Sequence, residues 1–208
     1  MEKDYRLFVI DDLASVTPAQ LDEALAALPD WRRERALRFK HEQGRVACAL
    51  SYLRLCRALR EVYGIDEQPA FVYGEHGKPS LSFTSGERTE AERTIHFNLS
   101  HCKHAVACVV SSRPVGVDVE CTGRYREALA RHVFNQQECQ HMVQATDTDL
   151  AFTRLWTKKE AIVKLTGRGI DDDLKNLLLK YSNVLLDTED HPDRGYVVTV
   201  ATFLSDNI

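Results

Sequence analysis

The 208-residue sequence has no stretch approaching the ~18 consecutive apolar residues of a membrane span. Its opening, MEKDYRLFVIDD, lacks the basic leader and small-residue cleavage site of a secretory signal, so the expected address is cytoplasmic, with no membrane partner. Paired C-x-x-C spacing is also missing. The six cysteines, Cys48, Cys56, Cys102, Cys108, Cys121 and Cys139, stand singly, several among apolar residues where a thiol packs as a small hydrophobe. Reduced thiols are therefore expected rather than disulfides. Nor is there an excess of positive charge: 27 Lys and Arg stand against 31 Asp and Glu, a net charge of −4. That excludes a general polyanion binder such as a nucleic-acid protein, and any phosphate-binding surface must be local.

With 44% hydrophobic and 28% charged residues, the chain can bury a real core, as one large domain or two small ones. YRLFVID reads as a short strand. Thr17-Pro18-x-Gln20 offers an N-cap, a Pro in the first turn and a capping-box partner, opening a helix to about residue 28. A second helix is expected from about 30 to 39. A third, over 44–63, carries Val46, Leu50, Leu53 and Cys56 at spacings of three and four, and Gly64 stops it. Strand-like runs follow near 70–73, 80–84, 95–98, 104–111 and 114–120, then helix from 125 to 166, then the strand-like KYSNVLL and YVVTVATF. The short connections imply antiparallel pairing, and the order is mixed α+β. There is an internal echo. Residues 36–65 and 130–170 both run from Phe through a few polar residues and a long helix to Gly-Ile. The expectation is two similar halves, 1–112 and 113–208, each a small, mainly antiparallel sheet packed with helices, with a ligand cleft where they meet.

Two segments carry candidate chemistry. In VGVDVE, residues 115–120, alternation puts Asp118 and Glu120 on one strand face and Val117 and Val119 on the other. Two carboxylates side by side repel unless a cation lies between them, although a solvated strand end would also explain them. In FTRLWTKKEAIVKLTGRG, residues 152–169, Trp156, Glu160 and Lys164 recur every four residues along one side of a helix that Gly167 should end. An exposed Glu–Lys pair there would contribute only a few tenths of a kcal/mol. The Trp suggests instead that this side is covered, so that the Glu and Lys need partners beyond each other.

GKPSL at 77–81, FNLSHC…VGVDVE at 97–120 and FTRLWTKKEAIVKLTGRG at 152–169 resemble, in order and spacing, the three signature blocks of the phosphopantetheinyl transferases. The resemblance is greatest to the Sfp-like branch, monomers of two similar halves related by a pseudo-twofold axis, and with LRFKHEQGRVA at 37–47 it extends over most of the chain. It implies an enzyme that transfers the 4'-phosphopantetheine of coenzyme A to a serine of an apo carrier protein of fatty-acid, polyketide or peptide synthesis, releasing 3',5'-ADP. By the same resemblance Asp118, Glu120 and Glu160 would hold Mg²⁺, Glu160 would take the serine proton directly or through a metal-bound water, and Lys164 would stabilise or protonate the departing phosphate. Ser100, His101, Lys78, Pro79 and Lys159 would contact coenzyme A, with Arg32, Arg35 and Arg45 toward its 3'-phosphate. Cys102 stands where the family often has a second Ser.

The family also implies a carrier with an acidic helix beside its serine. Arg124, Tyr125, Arg126, Leu129 and Arg131, just beyond Glu120, are the expected docking surface. Three rival readings remain open. One is a Mg²⁺-dependent phosphohydrolase acting on a nucleotide diphosphate, which could use the same carboxylates and lysine. Another is a carrier-protein binder without activity, against which the intact Asp118, Glu120, Glu160 and Lys164 argue. The third is a zinc site from His101, Cys102, His104 and Cys121, disfavoured because neighbours on a strand point to opposite faces.

Overall fold

A computed structural model describes residues 3–83, 95–169 and 173–204. The chain enters as strand β1 (Tyr5–Ile10) and continues through helices α1 (Pro18–Ala26), α2 (Asp30–Leu37) and α3 (Glu42–Tyr63). A hairpin of β2 (Ala70–Tyr73) and β3 (Pro79–Ser82) precedes β4 (His96–His101), β5 (Val106–Ser111) and β6 (Val115–Cys121). Helices α4 (Glu127–Val133), α5 (Gln136–Gln144), α6 (Thr148–Thr166) and the one-turn α7 (Leu177–Lys180) follow, and β7 (Val184–His191) and β8 (Tyr196–Phe203) close the fold. The class is α+β. Residue 84, the end of one expected strand run, and residues 171–172 of the acidic DDD lie outside the described residues.

The local signals act as their chemistry dictates. Thr17 Oγ1 accepts from Gln20 N while Gln20 Oε1 accepts from Thr17 N, a complete capping box at the start of α1. Gly64 and Gly167 end α3 and α6 in the left-handed region, at φ +69° and +65°. Strand β7 runs five residues past the apolar KYSNVLL because partners meet its acids. Asp187 accepts from Tyr5 and pairs with Lys3, and Asp190 pairs with Arg154. Charges along an edge strand also discourage pairing with another chain.

Every strand pairing is antiparallel. The two larger sheets share one strand order, β1-β5-β4 and β6-β8-β7, with the last strand of each set in the centre. Helix α3 packs on β5, and α6 on β6 and β8. Between the sheets lies a dry layer of Ala105, Ala107 and Val109 from one and Val117, Val119 and Val198 from the other, all essentially buried. That layer, with Tyr5 and Tyr196 at its margins, makes the sheets one hydrophobic unit.

Candidate active site

Gly116 sets the site up. A Cβ there would lie 2.2 Å from Ala161 O and 2.4 Å from Leu165 N, so only glycine lets α6 lie this close on β6. The approach brings the acidic face of β6 against the Glu160–Lys164 side of α6, while Val117 and Val119 point into the layer between the sheets. Asp118, paired with Thr199 of β8, is therefore buried, at 3% exposure, on the helix side. Beneath it Thr199 Oγ1 bonds Thr157 Oγ1 at 2.8 Å and Thr188 Oγ1 at 3.0 Å.

The other wall is β4, which meets β6 through side chains rather than a backbone ladder. Asn98 Oδ1 accepts from Val117 N (3.0 Å), and Ser100 Oγ accepts from Val119 N (3.2 Å). Ser100 donates to Asp118 Oδ1 at 2.9 Å, and Lys164 Nζ reaches both that oxygen at 2.6 Å and Ser100 Oγ at 2.8 Å. The second oxygen, Asp118 Oδ2, is buried and has no partner. A native carboxylate oxygen left so, at such cost, is a mark of a site built for a ligand.

Glu120 and Glu160 complete the acidic group. Burial first, and the Asp118 charge second, push both carboxyls above their ordinary value, with Arg124 opposing at Glu120 and Lys164 at Glu160. Glu120 Oε2 is turned to Arg124 at 2.5 Å. Among the described residues no three His, Cys, Asp or Glu side chains are drawn together tightly enough to grip an ion as they stand. The donor set is nonetheless all oxygen, with one buried oxygen free and two carboxyls under mutual repulsion, and this chemistry fits a hard divalent cation. His101, exposed at the end of β4, is held below its ordinary value by partial desolvation and then by the Lys164 and Arg32 cations, with Asp118 pulling the other way.

Other candidate residues lie around this centre. Lys78 reaches α6: its Nζ donates to Leu165 O at 2.7 Å and Val115 O at 3.3 Å, and burial pushes it down to about 8. With Pro79, Asn98, Lys164 and Gly167 it lines a cavity of about 250 Å³. Arg35 donates to Tyr73 Oη at 2.8 Å and lines a groove of about 410 Å³ with Trp31, Arg38, Phe39 and Tyr73. Arg38 and Tyr73 were not singled out from the sequence, because a helix and a distant hairpin combine here and neither segment signals it alone. Arg45 Nε donates to Phe39 O at 2.9 Å, at the edge of the same region. Arg32 is buried, stacked near Tyr52 and Phe71, with one nitrogen on Cys48 O and its Nε without a partner.

Lys159 departs from expectation. It is 2% exposed, and its Nζ is held by Glu138 (2.8 Å), Leu174 O (2.6 Å), Val133 O (3.1 Å) and Lys175 O (3.2 Å). It ties α6 to α5 and to the turn before α7. The resemblance implies a contact with coenzyme A for Lys159, but successive helical residues point ~100° apart, and Lys159 faces α5 rather than the Glu160 side of α6. The zinc reading finds no support either, since His104 Nδ1 lies against the carbonyls of Arg194 and Gly195.

A sequence model described as the 4'-phosphopantetheinyl transferase superfamily matches residues 114–201, the span holding Asp118, Glu120, Glu160 and Lys164. The chain is 29% identical to a 4'-phosphopantetheinyl transferase of Bacillus subtilis over 72% of its own length and 64% of that protein. It is 33% identical to 4'-phosphopantetheinyl transferase HetI of Nostoc sp. over 73% of itself and 65% of the relative. To 4'-phosphopantetheinyl transferase AcpT of Salmonella typhi it is 40% identical, over 48% of itself and 50% of the relative. The chain thus spans less than two thirds of the length of these curated relatives. Signature, site and relatives agree, and residues 114–201 match the 4'-phosphopantetheinyl transferase superfamily.

Proposed function

We propose that this protein transfers the 4'-phosphopantetheine group of coenzyme A to a serine hydroxyl of an apo carrier protein. The observation that carries the reading is the buried, unpartnered Asp118 Oδ2 where β4, β6 and α6 meet, with Lys164 on the other oxygen and Glu120 and Glu160 near enough to feel the Asp118 charge. Asp118, Glu120 and Glu160 are the residues that would hold Mg²⁺. Such an ion, when bound, neutralises charge on the pyrophosphate oxygens.

The chain's own groups supply the rest. Glu160, with its carboxyl raised by burial and by Asp118, is a better proton acceptor than an ordinary carboxylate and takes the serine proton. The serine oxygen forms a bond to the β-phosphorus of coenzyme A as the pyrophosphate P–O bond breaks, and 3',5'-ADP departs. Lys164 and His101 face that leaving group, and Lys164 can exchange Asp118 for phosphate without leaving the site. Arg35 and Arg38, with the rings of Trp31 and Tyr73, offer a cationic and aromatic groove suited to the adenosine 3'-phosphate end, and Arg45 borders it. We assign the halves as 1–112 and 113–208, related by a pseudo-twofold axis. The shared strand order of their sheets supports this.

The carrier docks, in this reading, on α4 and α5. There a groove of about 400 Å³ is lined by Tyr125, Ala130, Arg131, Met142 and Val143, and Leu129 (38% exposed) and Val143 (71%) present apolar surface. Arg126 is exposed beside it. Arg124 pairs with Glu120 and Arg131 with Glu127, so those two cations are partly engaged within the chain.

The test is mass spectrometry of apo acyl, polyketide and peptidyl carriers incubated with the protein, coenzyme A and Mg²⁺. The expected result is one phosphopantetheine added to the carrier serine. Coenzyme A hydrolysis without a carrier, and no adduct with one, would instead support the phosphohydrolase reading.

A further inference from the structure

Cys102 and Cys121 lie outside the reaction as described, yet the fold brings them together beside it. Strand β4 touches β6 through every second side chain, Asn98 to Val117 N and then Ser100 to Val119 N. Two residues further on, the same period sets Cys102 opposite Cys121, so that the two thiols face each other closely enough to interact. Both backbones are fixed: Cys102 N donates to Ala105 O at 2.9 Å, Cys121 is paired with Tyr196, and the next residue, Thr122, donates to Gly195 O at 3.0 Å.

The other four thiols have different surroundings. Cys48 and Cys108 are buried, Cys56 lies near Tyr52, and Cys139 is directed at Ala130 O. Cys102 and Cys121 are part exposed, as Cys56 and Cys139 are, and only Cys102 and Cys121 are set against each other. Each adjoins a site residue, Cys102 following His101 and Cys121 following Glu120.

We propose that Cys102 and Cys121 form a reversible redox pair, and that a hydroperoxide oxidises them to a disulfide which locks the ends of β4 and β6 together and lowers turnover at the adjoining carboxylate site. The regulatory part rests on the transferase reading, and the covalent part does not. One sulfur attacks a peroxide oxygen, the O–O bond breaks, and a sulfenic acid forms as the other oxygen leaves as water. The second sulfur then forms the S–S bond, about 2.05 Å long, and displaces the sulfenic hydroxyl as a second water. Two thiols and one hydrogen peroxide give one disulfide and two waters, the two sulfurs each losing one electron. The seam between β4 and β6 is made of side-chain bonds, so closing it with a covalent bond draws Glu120 and His101 into a new, fixed separation.

The experiment treats the full-length reduced protein with stoichiometric hydrogen peroxide, then maps its thiols by tandem mass spectrometry of the tryptic digest. The expected result is one Cys102–Cys121 crosslink, reversed by dithiothreitol, with the other four thiols still free. Transfer should fall about tenfold or more, as when groups that orient metal ligands are disturbed, and recover on reduction. Cys102→Ser and Cys121→Ser should keep basal transfer and be insensitive to peroxide. Thiols that stay free, crosslinks elsewhere, or oxidation of either cysteine to sulfinic acid without a crosslink would overturn the pair. A crosslink that leaves transfer unchanged would overturn its regulatory role. If the reduced protein transfers nothing but the crosslink forms, the transferase reading fails and the redox pair stands.

Discussion

Asp118 lies in a buried setting where Lys164 and Ser100 hold one oxygen, while the other has no partner in the chain. Removing the cation alone exposes the cost of that arrangement. Lys164→Met should destabilise the metal-free protein, by less than the ~3–5 kcal/mol of a fully buried pair because the Lys164 side chain is 27% exposed. Mg²⁺ should raise the Tm of the variant more than that of the parent, since the ion replaces the lost charge. Equal Mg²⁺ shifts in differential scanning fluorimetry would remove Asp118 from the ion's ligands.

Glu160→Gln separates two roles at one position. Loss of the base should lower kcat by about 10²–10⁴-fold, while the KM for coenzyme A changes much less. The same variant reports on pH. A carboxyl whose folded pKa is raised favours the folded state while protonated, and that contribution is lost as pH rises through the folded pKa. Urea melts between about pH 4 and 7 should therefore show Glu160→Gln gaining stability relative to the parent as pH rises. Asp187 and Asp190, lowered by Lys3 and by Arg154, give the opposite slope in both proteins and cancel in the difference. A flat difference would contradict the burial of Glu160.

At the scale of elements, the site depends on how closely α6 lies on β6. Gly116→Ala forces a methyl group into the backbone of Ala161 and Leu165, where no flexible side chain can yield. A loss of about 1–3 kcal/mol or more is expected, seen as a lower urea midpoint with an unchanged slope. Transfer should fall further than the folded fraction does, because α6 carries Glu160 and Lys164. Much of this was legible in the sequence: the capping box, Gly64 and Gly167 bounded their helices, and alternation put Asp118 and Glu120 on one face. The extent of β7 was not legible, since its acidic residues become strand only when Lys3, Tyr5 and Arg154 arrive from elsewhere in the chain. The buried anchoring of Lys159 was not legible for the same reason, its four partners being 15 to 26 residues away.

For the whole molecule, the question is how a chain of net charge −4 would meet an acidic carrier. Only a local surface can serve, and the exposed Arg126 beside Leu129 and Val143 is the one assigned here. Arg124 makes a poor probe, because its pairing with Glu120 would couple docking to the site. Arg126→Glu combined with Leu129→Asp should raise the KM for the carrier, more so at low salt where repulsion is less screened, and leave the KM for coenzyme A unchanged. A change in the coenzyme A KM alone would move this face out of the docking surface. The sequence by itself determined the local elements and the kinds of group at the site, because periodicity, caps and strand alternation act over a few residues. Tertiary structure alone decided the partners: Lys164 on Asp118, Lys159 on Glu138, Lys78 on the end of α6, and Cys102 opposite Cys121. Those contacts follow from two sheets burying one apolar layer between them, and burial of that kind fixes which distant residues meet without leaving any local trace in the chain.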